Sequence, residues 1–127
     1  MWLGRLWPFR RVQSLGQLGE NLAAGTLKKA GCHILARNYT CPAGEVDLVA
    51  LDGETIVFAE VKTRSCDKYT DPQSAVDGVK QNRYRRAARY YQQQTRSGHR
   101  SVRFDVVAIV IHPGEKPKIK HIRDAFV

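Results

Sequence analysis

Two apolar runs, Val46 to Leu51 and Thr55 to Val61, lie on either side of Asp52-Gly53. That dipeptide suits the positive φ of tight hairpin turns, so the pattern predicts two antiparallel strands. Two registers are open. With a loop of Asp52-Gly53 alone, Leu51 pairs with Glu54 and Asp47 with Phe58, leaving Glu60 diagonal to Asp47; a four-residue loop sets Asp47 directly opposite Glu60. Either register puts both carboxylates on one face, and strand alternation brings Lys62 and Glu45 to that face as well. Opposed Cβ atoms lie about 5 Å apart and diagonal ones about 7 Å, distances at which two carboxylates can share one divalent cation. A one- or three-residue offset would split the pair. Val46, Leu48, Val57, Ala59 and Val61 make the other face apolar, while Val49, Leu51, Ile56 and Phe58 surround the carboxylates. Both faces are expected to be buried, so like charges there need a cation or a partner to offset repulsion and desolvation.

Upstream, Ser14 with Gln17 three positions on is a capping-box start, and Gly31 closes a helix whose apolar positions are Leu15, Leu18, Leu22, Leu27 and Ala30. Glu20 falls at the border of that stripe beside Ala23 and Leu27. Its carboxylate either reaches the edge of a sheet packed beneath or is an ordinary solvated helix glutamate. Gly16, Gly19 and Gly25 each cost about 1 kcal/mol against alanine inside a helix, which points to close backbone approach. Cys32 to Tyr39 reads as a first strand and Thr40 to Gly44 as its turn.

Beyond the hairpin, Thr63 to Asp71 reads as a polar loop, with Pro72 at the first position of a second helix running to about Gln94. Its inner stripe is Val76, Val79, Ala87 and Tyr90, interrupted by Lys80 and Arg83; Arg85, Arg89 and Arg96 lie on the other side. That arginine-rich stretch is either a solvated face or a phosphate-contacting one. Arg96 to Arg100 forms a basic loop, Val102 to Ile111 reads as a central buried strand, and Lys118 to Ile122 follows Pro113-Gly114 as an edge strand. Asp105 reads as an acidic ligand or as a strand-end salt-bridge partner of Arg103.

A chain of 127 residues with 43% hydrophobic residues suits one folded domain, here 14–127, preceded by a basic aromatic arm, 1–13, that carries Trp2, Trp7, Phe9, Arg10 and Arg11. The net charge of +9 and the isoelectric point near 9.8 point to nucleic acid as the partner, with anionic lipid or mere solubility as the alternatives. Cys32, Cys41 and Cys66 form no CxxC pair and read as reduced thiols of a cytoplasmic protein. The spacing of Cys32, His33 and Cys41 matches no familiar zinc pattern. Arg5 and Pro8 interrupt the first apolar residues, so neither a signal peptide nor a membrane partner is expected.

The order helix, three strands, helix, strand, with Glu20, Asp47 and Glu60-Val61-Lys62, resembles the PD-(D/E)xK nuclease superfamily. More narrowly, Gly44 to Ala50 followed by Val57 to Arg64, together with Gly19-Glu20, Lys80 and Arg103 to Val107, is similar to the YraN family, itself similar to Holliday junction resolvases. Val46 stands where the superfamily's name has proline. The resemblance implies an α/β, restriction-endonuclease-like three-layer fold: a mixed central sheet flanked by helices, in the order αβββαβ with a further strand. It implies a Mg²⁺ (or Mn²⁺) ion held by Asp47, Glu60 and the Val61 carbonyl, with Lys62 acting on the attacking water and Glu20 completing the shell. The expected activity is hydrolysis of DNA, including branched DNA cut by a homodimer, with Lys80, Arg83, Arg85 and Arg89 on the nucleic acid. The competing readings are a non-catalytic nucleic-acid-binding module and a protein-interacting accessory factor.

Overall fold

The computed structural model describes residues 14–65 and 77–126. The N-terminal arm, Cys66, Val76 and the helix start expected at Pro72 lie outside the described residues. Helix α1 (Leu15–Lys29) begins as the capping box requires: Gln17 N donates to Ser14 Oγ at 3.1 Å and Ser14 N to Gln17 Oε1 at 3.2 Å. It ends where Gly31 takes φ +97°, with Cys32 N donating to Leu27 O at 2.9 Å and Gly31 N to Lys28 O at 3.0 Å. The buried stripe is Gly19, Ala23, Ala24 and Leu27; Leu15 and Ala30, expected inside, are exposed at the first helical position and the C-cap.

Strands β1 (His33–Cys41), β2 (Gly44–Asp52) and β3 (Thr55–Arg64) form an antiparallel meander. Helix α2 (Gly78–Thr95) then crosses over to β4 (Val102–Val110), which lies parallel to β3, and β5 (Lys118–Phe126) runs antiparallel along the outer edge of β4. The strand order is β1-β2-β3-β4-β5. β3 is the middle strand, and the segment expected as a central buried strand, here β4, lies inside the sheet between β3 and β5 with one face under α1 and the other under α2. The two helices cover opposite faces. Ala23, Ala24 and Leu27 of α1 meet Leu48, Ala50, Val57, Ala59, Val107 and Ile109, while Tyr84, Ala87 and Ala88 of α2 meet Val46, Val49, Ile56, Phe58 and Phe104. This is the three-layer α/β arrangement expected, with the mixed sheet buried on both sides.

Helix α2 corrects two expectations. Asp77 is extended, with φ −78° and ψ 177°, and caps the helix by accepting from Lys80 N at 2.9 Å, so no helix runs unbroken from Pro72. The inner stripe is Tyr84, Ala87, Ala88 and Tyr91; Val79 is 73% exposed and Tyr90 faces out. The large Tyr84 and Tyr91 rings, not Val79 and Tyr90, fill the space over the sheet, Tyr91 edge-on to Phe58 at 5.6 Å.

In the β2–β3 ladder Leu51 pairs with Ile56 and Leu48 with Ala59, the register of the four-residue loop. Asp52 also pairs with Thr55, which leaves Gly53, at φ +61°, and Glu54 as the turn. One step beyond Leu48 and Ala59, this register sets Asp47 against Glu60. The β1–β2 ladder shifts register between Ile34 and Ala36, and further along β1 Asn38 takes φ +50° with the register unchanged. On one side of it Tyr39 pairs with Val46, on the other Arg37 with Leu48, and Val46 packs with Val49 on the α2 face although simple alternation would group it with Leu48. Glu45 is exposed.

At the hairpin end of the sheet, Asp105 is 0% exposed. Its Oδ1 accepts from Arg103 Nε at 2.9 Å and Asp124 N at 3.0 Å, and its Oδ2 from Arg103 Nη2 at 3.0 Å, with His121 Nε2 2.7 Å away. Arg103 Nη1 also reaches Asp52 at 2.8 Å. Asp105 is thus the ion-pair partner of Arg103, though buried within β4 rather than at a strand end.

Candidate functional site

Asp47, Glu60 and Lys62 meet at the opposite end of the β2–β3 hairpin from its turn. Beyond Leu48 the two strands stop pairing, and Val61 N donates to Asp47 Oδ2 at 2.8 Å in place of a ladder bond. Glu60 is buried and points under α2. Its Oε1 accepts from the Tyr84 hydroxyl at 2.6 Å; Oε2 takes Lys80 Nζ at 2.7 Å and lies 3.4 Å from Lys62 Nζ. Tyr84 and Lys80 are one helical turn apart, so the first turns of α2 present both donors to one carboxylate.

From the α1 side, Glu20 joins Asp47, Val61 and Lys62 in lining an open cavity of about 280 Å³, along with Gly16, Thr63 and Arg64. Glu20 Oε1 accepts from Asn38 Nδ2 at 3.1 Å, so the left-handed turn in β1 serves to hold this side chain. Its approach depends on Gly19: a Cβ there would collide with Thr63 Oγ1 and come within 2.9 Å of Thr63 Cβ. Among the three helix glycines, Gly19 is the one explained by close approach, since Gly25 faces open space and Gly16 only touches Ser14.

The electrostatics separate the two carboxylates. Burial, with a smaller push from the charges of Glu60 and Glu20, raises Asp47 to about 6 against the opposing bond from Val61 N. Burial also pushes Glu60 upward, but the bonds from Lys80 and Tyr84 outweigh it and hold Glu60 below the ordinary carboxylate value. Burial and the charge of Lys80 push Lys62 down, whereas the bond to Glu60 overcomes burial and keeps Lys80 firmly charged. Burial drives the Tyr84 hydroxyl far up, so it stays a donor.

The donor set suits a hard divalent cation. Asp47 Oδ1 has no hydrogen-bond partner among the described residues, and Glu60 is near enough for its charge to act on Asp47. Among the described residues no three His, Cys, Asp or Glu side chains form a metal-holding group by themselves, so two carboxylates with the Val61 carbonyl would be the protein's share. Cys32 and Cys41 are free thiols and take no part; Cys41 Sγ instead lies 3.4 Å from Gly44 O.

The basic residues divide. Lys80 reaches the site, and Arg83 lies over Gly44 at the start of β2. Arg85 is engaged, donating to Asn82 at 3.0 Å and Gln81 at 3.3 Å with its guanidinium 5.9 Å from the centre of the Phe126 ring. Arg89 is exposed beside Arg86, Tyr90 and Gln93 around a shallow depression. Sequence reasoning missed Tyr84 and Asn38; the signal for Tyr84 was its spacing of four from Lys80. No described helix is long and apolar enough to cross a membrane.

The family model described as "Uncharacterised protein family UPF0102" matches residues 19–109, which span every side chain of the site. The chain is similar to a UPF0102 protein of Syntrophus aciditrophicus, 48% identical over 120 residues, covering 93% of this chain and 94% of the relative. It is likewise similar to UPF0102 proteins of Moorella thermoacetica, 48% identical with 87% and 93% covered, and of Rhodococcus opacus, 47% identical with 89% and 96% covered.

Proposed function

This chain belongs to the UPF0102 family, the YraN family, and from that premise and its site geometry we propose that it is a Mg²⁺- or Mn²⁺-dependent endonuclease hydrolysing DNA phosphodiester bonds. The observation that carries the reading is the meeting of Asp47, Glu60 and Lys62 at one end of the β2–β3 hairpin, with Lys62 3.4 Å from Glu60 and beside Asp47 in the lining of an open cavity on a basic protein. Asp47, Glu60 and the Val61 carbonyl would hold the cation. When bound, it supplies positive charge to the scissile phosphate and lowers the pKa of a water. Lys62, with its proton affinity reduced by burial and by Lys80, takes or orients the proton of the attacking water and balances negative charge as it develops. Glu20, fixed by Asn38, orients water at the rim. The expected substrates are duplex and branched DNA, cut by a symmetric dimer.

The test is cleavage of four-way junction, duplex and single-stranded DNA with Mg²⁺ or Mn²⁺ by wild type, Asp47→Ala and Lys62→Ala. Divalent-dependent cleavage that both substitutions abolish supports the reading; equal cleavage by all three proteins sinks the site. A second reading, a nucleic-acid-binding protein without catalysis, is favoured by the 2.7 Å Lys80–Glu60 contact, which already neutralises one carboxylate. Tight, salt-sensitive binding with no cleavage of any substrate would select it.

A further inference from the structure

Glu60, buried beside the cavity, carries more partners than Asp47 and Glu20, the carboxylates that line it. Tyr84 holds Oε1 at 2.6 Å, and Oε2 faces two ammonium groups, Lys80 at 2.7 Å and Lys62 at 3.4 Å. Asp47 has one main-chain donor. A cation shared by Asp47 and Glu60 needs a lone pair from Glu60, and the oxygen turned toward positive charge is the one that Lys80 holds.

Charge counting leads to the same place. Asp47, Glu60 and Glu20 contribute three negative charges and Lys62, Lys80 and Arg64 three positive ones, so a divalent ion would enter a site already balanced. A net +2 in a partly buried region is strongly disfavoured. Withdrawal of one ammonium removes much of that cost. Lys80 is the side chain equipped to leave: it is 25% exposed, sits in the first turn of α2 and has a flexible four-carbon stem, whereas Tyr84 is buried and its hydroxyl stays protonated.

We propose that Lys80 is a resident counter-ion of Glu60: it competes with the divalent cation for Oε2 and yields that oxygen when its ammonium turns to a substrate phosphate. Lys80 is then a positioning residue that couples the two ligands, each tightening the other because both draw on the same exchange. Without substrate it holds Glu60 in place and keeps a buried carboxylate from standing alone. The inference rests on the reading of Asp47 and Glu60 as cation ligands, and its test separates the two.

Mn²⁺ binding is measured by calorimetry and by the electron paramagnetic resonance of free Mn²⁺ for wild type, Lys80→Gln, Lys80→Met and Asp47→Asn, with urea midpoints to verify folding. Lys80→Gln retains a neutral donor for Glu60, so the measurement survives even where Lys80→Met unfolds. The expected result is Mn²⁺ binding at least about tenfold tighter in Lys80→Gln than in wild type without DNA, and lost in Asp47→Asn. A short phosphorothioate duplex should tighten Mn²⁺ binding by wild type and do so less in Lys80→Gln. Equal or weaker binding by the Lys80 variants, with wild-type binding still dependent on Asp47, overturns the counter-ion role and leaves the metal reading standing. No Asp47-dependent Mn²⁺ binding by any of the proteins overturns both.

Discussion

The main-chain N–H of Val61 donates to Asp47 Oδ2 at 2.8 Å, tying the carboxylate at the start of β2 to the strand that bears Glu60 and Lys62. This one bond replaces the ladder where the strands diverge, and it fixes which oxygen of Asp47 stays open.

Asp47 makes stability depend on pH. Burial raises its pKa to about 6, so the native state binds this proton more tightly than the unfolded chain. The associated stabilisation is complete below the ordinary carboxylate range and is lost as pH rises through about 6. Asp47→Asn keeps an acceptor for Val61 and removes the charge. Without divalent ions it should be more stable than wild type at pH 8 by on the order of 2 kcal/mol, with the gap closing near pH 4. Urea titrations at the two pH values check this, and a gap independent of pH would contradict it.

Tyr84→Phe removes the hydroxyl that donates to Glu60 Oε1 and little else. The proposed divalent-dependent cleavage should fall about 10- to 100-fold, and folding stability by about 1–2 kcal/mol. Single-turnover rates beside thermal denaturation separate the two effects; unchanged cleavage would remove Tyr84 from the site.

Gly19→Ala should destabilise despite the better helix former, because the added Cβ collides with Thr63. The expected loss is about 1–3 kcal/mol. Adding Thr63→Ala removes the nearest atoms and should recover part of it, so a thermal double-mutant cycle with strictly additive effects would count against the contact.

Asp105 tests the buried network at the far end of the sheet. Burial raises its pKa, but His121, Arg103 and the Asp124 N–H outweigh that and hold it at about 2. The stabilisation is therefore present above the ordinary carboxylate range and lost as pH falls through about 2. Asp105→Ala leaves Arg103 with Asp52 alone and takes the acceptor from the Asp124 N–H, and it should cost about 3–5 kcal/mol at pH 7. Arg123, 60% exposed on Asp52, should cost less than about 1 kcal/mol when changed to alanine. Chemical denaturation of the two variants gives the comparison.

Arg86 and Arg89 should act on nucleic acid and not on the fold. Replacing both with glutamine is expected to leave the urea midpoint unchanged and to lower the salt-dependence slope of DNA binding by about 0.9 for each phosphate no longer neutralised. Arg85→Gln, which gives up the bonds to Gln81 and Asn82 and the approach to the Phe126 ring, should instead lower stability. Binding isotherms across a salt series decide between these outcomes.

Where local chemistry decided the structure, the sequence was readable. Ser14 and Gln17 cap α1 as their spacing implies, and Asp47, Glu60 and Lys62 come together because apolar residues on both faces of the hairpin leave few registers open. The turn itself was less legible: Gly53 supplies the positive φ in either register, and Asp52–Thr55 pairing settles which residues flank it. Helix α2 was phased from Val76 and Val79, which rotated its stripe away from Tyr84 and Tyr91 and concealed the donors to Glu60. Asn38 sits within a sequence that reads as plain strand, so nothing local announced the turn that holds Glu20. Lys80 and Glu60 meet across 20 positions, a pairing that depends on how the crossover helix seats itself.

The crossover between β3 and β4 also orders events during folding. Asp47 and Glu60 belong to one hairpin, so a short loop closure brings them together, whereas Lys80 and Tyr84 arrive only after the chain has passed through α2 and β4 has docked beside β3. The nascent hairpin is thus an acidic patch lacking its α2 counter-charges, and its collapse works against repulsion until the helix closes over it. Mild acid or millimolar divalent salt should relieve that repulsion, so refolding should speed up under either condition, and a refolding rate indifferent to both would count against it.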